Sequence, residues 1–185
     1  GISAITINGH AAEVHALTWS EQKQSLYLAQ EAVGRQIPLI VGISTPSSMT
    51  AGQLALAATE GGASALLVFP PDSMSLGGQQ RPEMAIAHFE HIVGQTDLPL
   101  ILFQYPISSG LGYPLPTLLE LCHRFPSIRA IKDWCNDPVL HERHIRELHA
   151  LDSPVAVLST HSAWLLSSLV LGCDGLLSGA GSVIA

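Results

Sequence analysis

The chain has 185 residues, 47% of them hydrophobic and only 12% charged, with a formal net charge of −7 and a positive mean hydropathy. That much apolar material excludes a disordered polypeptide and suffices for one domain, residues 1–185, with a sizeable core. The acidic balance argues against nucleic acid and anionic membrane partners, which need a basic face. The longest apolar stretch, Ala163 to Leu171, is too short to cross a bilayer. The three cysteines are odd in number and form no Cys-x-x-Cys pair, and Gly1 leads into a strand-like run without a basic leader. A reducing, cytoplasmic setting is therefore expected.

Taken in order, short apolar runs alternate with longer amphipathic segments. The runs are Ile2–Ile7, Pro38–Val41, Ala65–Phe69, Pro99–Phe103, Ile128–Ile131, Val155–Leu158 and Gly175–Leu177. Each is apolar on both faces, as a parallel strand covered by helices must be. The intervening segments carry helix punctuation. Thr18-Trp-Ser-Glu21 is a capping box, and Gly34 with Pro38 ends the helix that it opens. A helix over Thr50–Glu60 stops at Gly61-Gly62. Asp137-Pro138 supplies an N-cap and a first-turn proline ahead of Leu140–Leu148, and a last helix over His161–Leu171 closes at Gly172. The alternation means parallel α/β, and periodicity alone leaves a closed barrel and an open doubly wound sheet both standing. The missing Gly-x-Gly-x-x-Gly after the first run weakens dinucleotide binding. An eight-fold barrel needs about 250 residues, so a barrel here is expected to be incomplete.

In either architecture chemistry sits at the C-terminal ends of the strands. Lys132 follows Ile128-Arg-Ala-Ile131 and is one of two lysines, the other being Lys23 in a polar helical stretch. Burial there lowers an ammonium pKa and leaves a nucleophilic amine. An ion pair with Asp133 at the rim is the competing reading, and position alone does not separate them. Tyr105 ends the neighbouring strand, where a phenol can move protons for Lys132 or simply pack at the rim. Gly9-His10-Ala11 follows the first strand, and such a turn offers backbone N–H groups to a carboxylate.

The ordered set of these segments resembles the dihydrodipicolinate synthase / N-acetylneuraminate lyase family of pyruvate-dependent aldolases. The segments are Gly9–Glu13 with Leu17-Thr18 and Glu21, Pro38–Gly42, Gly61–Pro71, Leu98–Pro106, Ile128–Asp133 and Gly172–Ser178. The resemblance implies a (β/α)8 TIM barrel that here lacks the first strand and the C-terminal helices. It also implies a homo-oligomer (tetramer or dimer), a small-molecule 2-oxo acid as partner, and no cofactor and no metal. On this likeness Lys132 forms the imine with pyruvate or another 2-oxo acid, and Tyr105 relays protons. The Gly9, His10 and Ala11 backbone holds the substrate carboxylate, and Leu177 lies beside the imine.

Three departures qualify the likeness. His10 and Ala11 replace the family's paired threonines, with an imidazole the one group left to relay a proton. Gly110 falls where the synthase has an arginine for the second substrate, and Asp72 falls near its relay tyrosine. The expectation is a Schiff-base aldolase or lyase distinct from the lysine-pathway synthase. A keto-deoxy sugar acid dehydratase working through the same imine and a non-catalytic metabolite-binding relative stand as alternatives. His141-Glu-Arg-His144 with His149 lacks the His-Glu-x-x-His spacing and reads as a solvated helix face. Trp19, Trp134 and Trp164 read as packing anchors.

Overall fold

A computed structural model describes residues 1–34 and 36–183. Seven strands form one parallel sheet: β1 (Ile5–Ile7), β2 (Leu39–Ile43), β3 (Ala65–Val68), β4 (Leu100–Gln104), β5 (Ile128–Asp133), β6 (Ala156–Ser159) and β7 (Gly175–Leu176). Their order in space is their order in sequence. A doubly wound sheet reverses direction at a switch point; this one never does, which settles the barrel alternative as a partial (β/α) barrel. The sheet curls far enough that a Cβ built on Gly179, after β7, would sit 3.6 Å from the Ala11 Cβ, after β1.

Six α-helices connect the strands among the described residues: α1 (Trp19–Val33), α2 (Ser48–Glu60), α3 (Pro82–Val93), α4 (Leu115–Arg124), α5 (Pro138–His149) and α6 (Leu165–Leu171). Their ends follow the local chemistry. Thr18 accepts from the Glu21 N–H while the Glu21 carboxylate accepts from the Thr18 N–H, completing the capping box. Ser47 caps α2 by accepting from Thr50 N, so that helix starts two residues before the expected Thr50. Asp137 accepts from Val139 N and Leu140 N, and Gly172 ends α6 in the left-handed region at φ 100°. Other expected boundaries shift as well. The first strand pairs only over Ile5–Ile7, because β1 has a partner on one side alone. Residues Ser162–Trp164 form a 3-10 turn ahead of α6.

Strand alternation sorts the core into two layers. Leu66, Val68, Leu100, Leu102, Ile131 and Val157 face the helices, whereas Leu67, Phe69, Ile101, Phe103, Tyr105 and Ala130 face the concave interior. Each strand is thus apolar on both sides, as the sequence demands of a helix-covered parallel sheet.

One expectation for α5 is overturned. His141 and His144, anticipated on a solvated face, are fully buried. They share with Ile145 and Leu148 the i, i+3, i+4, i+7 stripe that packs on the sheet. Both rings bond the Asp133 carboxylate, His141 Nδ1 at 2.8 Å and His144 Nδ1 at 2.7 Å from Oδ2.

Candidate active site

Lys132 lies on the inner face of β5, in register with Phe103 on one side and Leu158 on the other. Its Nζ sits 4.2 Å from the centroid of the Phe103 ring and the residue is 7% exposed. Burial lowers its ammonium pKa to about 8, because the charged form loses more hydration than the neutral one. The ion pair with Asp133 does not form. Adjacent strand residues face opposite ways, and the Asp133 carboxylate bonds His141 and His144 on the helix side.

Tyr105 follows β4, two residues beyond Phe103 and on the same face. Its ring centroid lies 4.5 Å from that of Phe103 and 5.4 Å from that of Trp134. The phenol oxygen is 3.1 Å from His10 Nδ1. Burial, and then the negative charge of Asp72, push the phenol pKa up to about 12. Burial, then His15, then Lys132 hold the His10 imidazole below its ordinary value. Near neutrality the phenol therefore keeps its proton and the imidazole stays uncharged. That pair can pass a proton in either direction according to the ring tautomer.

The loop carrying His10 is anchored from beneath. Asn8 takes a left-handed conformation at φ 51°, with its Nδ2 donating to the Gln22 carbonyl and its Oδ1 accepting from Ser25 Oγ at 2.6 Å. A Cβ at position 42 would lie 1.8 Å from the Asn8 carbonyl oxygen, so only glycine lets β2 pass beneath the turn. Gly9 then leads into a 3-10 turn over His10–Ala12.

These elements surround a cavity of about 210 Å³ lined by His10, Ala11, Phe103, Lys132, Trp134 and Thr160, with Gly179 closing one side. The fold brings Lys132, His10 and Ala11 to one space, and Tyr105 joins through its bond to His10. Leu177 packs on the inner apolar cluster instead of lining the cavity, and Gly9 is buried behind the turn. Trp134, expected as a packing anchor, is a wall of the cavity, with its ring centroid 5.5 Å from that of His10. The alternation rule points to it, since Trp134 stands two residues after Lys132 on the same face. Thr160 carried no such signal. Trp19 is 36% exposed and lies beneath Lys23, whose Nζ is 5.4 Å from its ring centroid.

Gly110 has a structural reason to lack a side chain. Its φ is +77°, and a Cβ there would meet the Ser75 carbonyl oxygen at 2.7 Å.

Parallel βα units, a curled sheet and a buried amine at a strand end define a barrel-type site. The family model described as the dihydrodipicolinate synthetase family matches residues 1–185, and the chain belongs to that family. A relative from Stenotrophomonas maltophilia, named 4-hydroxy-tetrahydrodipicolinate synthase, is 31% identical over the whole of this chain and 59% of its own. A dihydrodipicolinate synthase structure from Bacillus anthracis is 27% identical with a TM-score of 0.83, covering 100% of this chain and 60% of the other. The fold also matches YagE, an Escherichia coli family member determined in complex with pyruvate, at TM-score 0.89 and 23% identity; the match spans 98% and 59% of the two chains. The chain spans about 60% of the length of the curated relatives it matches end to end. No helix among the described residues is long and apolar enough to cross a membrane.

Proposed function

We propose that this chain carries the imine-forming half of a class I aldolase or lyase acting on pyruvate or a closely related 2-oxo acid. The observation behind the proposal is the buried Lys132 amine at the C-terminal end of β5, opening into the same small cavity as His10. The Nζ lone pair adds to the ketone carbon, water leaves, and a protonated imine results. That cation accepts the electron pair released when a proton, or a carbon–carbon bond, is lost at the neighbouring carbon. Tyr105 hands protons to and from the oxygen atoms involved, and His10 replaces the missing threonine hydroxyls as its relay partner. The backbone of Gly9, His10 and Ala11 holds the substrate carboxylate, and Leu177 supports the inner wall beneath the imine. Family membership and the resemblance of YagE, solved with pyruvate, support this assignment.

The second substrate differs from that of the lysine-pathway synthase. The backbone at Gly110 excludes the arginine that would grip a second carboxylate, and Asp72 places a negative charge beside Tyr105.

Incubation with pyruvate followed by borohydride reduction and peptide mass spectrometry tests the assignment. The expected result is one reduced adduct, on Lys132, absent from Lys132→Ala. Tyr105→Phe still traps the imine but turns over about 10²–10⁴-fold more slowly, the range general acid–base groups contribute. Failure to trap any member of a panel of 2-oxo acids identifies the chain as a non-catalytic metabolite-binding relative.

A further inference from the structure

Beyond the amine, the walls of the cavity restrict what an imine can meet there. Trp134 stands two residues past Lys132 on the same face of the sheet, about 7 Å further toward the rim along the direction of β5. Thr160 stands two residues past Leu158, which is in register with Lys132 on β6, and so lies level with Trp134. Both line the cavity, and Phe103 and His10 continue the wall. The ring centroids of Tyr105, His10 and Phe103 lie 5.4, 5.5 and 6.3 Å from that of Trp134. The space above the amine is framed by rings. Among the lining side chains, Thr160 carries the one hydroxyl and Lys132 the one amine.

Charge balance limits the ligand first. On the imine reading, on which this inference rests, the protonated imine at Lys132 is matched by the carboxylate of pyruvate. A further carboxylate or phosphate would enter without a partner, because no other lining residue is cationic. Burial, then His15, then Lys132 keep the His10 imidazole uncharged near neutrality. The negative charge of Asp72, felt at Tyr105, works against a second anion as well. An unpaired charge in a partly dehydrated space is costly. A polyol fares little better. Thr160 can replace water at one of its hydroxyls, and each of the others loses hydration without return.

We infer that the second substrate is an uncharged aldehyde whose apolar or aromatic group packs against Trp134, which makes Trp134 the specificity-determining residue for that group. Apolar burial and ring contact with the indole supply the attraction, and the Thr160 hydroxyl donates to the aldehyde oxygen. Size agrees: an apolar cavity of about 150 Å³ accepts benzene, so one of about 210 Å³ accommodates a three-carbon imine with a short chain or a single ring. The imine loses a proton from its methyl carbon and becomes an enamine. That carbon bonds to the aldehyde carbon, the carbonyl electron pair moves to oxygen, and the oxygen takes a proton. Water then cleaves the imine, freeing Lys132 and a 4-hydroxy-2-oxo acid. No oxidant or reductant takes part, and the same steps reversed cleave such an acid.

The test supplies the full chain with pyruvate and, in turn, benzaldehyde, succinic semialdehyde or glyceraldehyde. The expected result is a 4-hydroxy-2-oxo acid formed most efficiently from benzaldehyde, with kcat/KM about tenfold or more above the other two. Trp134→Leu removes that preference, Trp134→Phe keeps it, and Trp19→Phe, on the outer helix α1, leaves it unchanged. Benzyl alcohol, which cannot react, gives saturation-transfer NMR signals with the unaltered chain that weaken in Trp134→Leu. Better turnover of either polar aldehyde, a ranking unchanged in Trp134→Leu, or equal benzyl alcohol signals from the two proteins would each overturn the inference. Borohydride trapping of pyruvate on Lys132 is read separately. Its failure sinks the imine, whereas the benzyl alcohol signals report on the wall at Trp134 without one.

Discussion

The residue scale shows most directly how backbone geometry limits chemistry. Gly110 falls where the family resemblance puts an arginine, yet its φ of +77° and its approach to the Ser75 carbonyl disfavour any side chain. Gly110→Ala should destabilise the protein by about 2 kcal/mol, from the left-handed conformation plus the clash. Chemical denaturation at constant m-value measures this; an unchanged midpoint would show that the loop relaxes freely. At this scale the sequence was informative about Lys132 and Tyr105, because each ends an apolar run and strand ends are where side chains meet. It was less informative about His10. That His10 would lie 3.1 Å from the Tyr105 hydroxyl depends on how far the sheet curls, which no local pattern encodes.

Among the elements, helices are where reading by polarity failed. His141 and His144 looked like solvent-facing residues because they sit among Glu142, Arg143, Arg146 and Glu147. The periodicity nevertheless places them with Ile145 and Leu148, and one buried carboxylate on β5 makes their burial tolerable. Burial pushes the Asp133 carboxyl pKa up, but hydrogen bonds from both histidines overcome that and hold it well below the usual carboxylate range. No helix-level pattern predicts a partner supplied by a strand. The α2–α3 contact offers a pH test of the same principle. His88 on α3 is buried with its Nδ1 3.1 Å from Ser48 Oγ. Burial, with a smaller contribution from His91, lowers its pKa to about 4. A histidine depressed in the folded state binds its proton more readily when unfolded. Its stabilising contribution is therefore full above about pH 6.5 and is lost as the pH falls toward 4. Between pH 7 and pH 5 the loss is about 2 kcal/mol, measurable as a lower urea midpoint. His88→Leu should flatten that dependence, and an unchanged slope in the variant would assign it to other groups.

For the whole molecule, the sheet order explains both what was legible and what was not. Seven apolar runs separated by helical punctuation were enough for a parallel α/β fold, since each run is covered on both faces. They could not distinguish a curled sheet from a doubly wound one, because both present the same one-dimensional pattern; only the unbroken spatial order decides. That order also predicts a gradient of stability. The central strands β3 to β5 have partners on both sides and bury nearly every residue, whereas β1 and β7 are edges of three and two residues. Hydrogen–deuterium exchange should find the slowest amides in Leu100–Gln104 and Ile128–Asp133 and the fastest strand amides in β1 and β7. Uniform protection across all strands would contradict it.

The alternation along β5 has an evolutionary consequence. Lys132 and Asp133 are neighbours in the chain but belong to opposite compartments, one lining the cavity and one bonded to α5. Mutations around the cavity can reshape its walls without loosening the strand that holds the amine. Mutations on the helix side can trade one means of anchoring that strand for another without altering the reactive surface. A single strand thereby lets the shape of the cavity and the anchorage of its wall drift at separate rates.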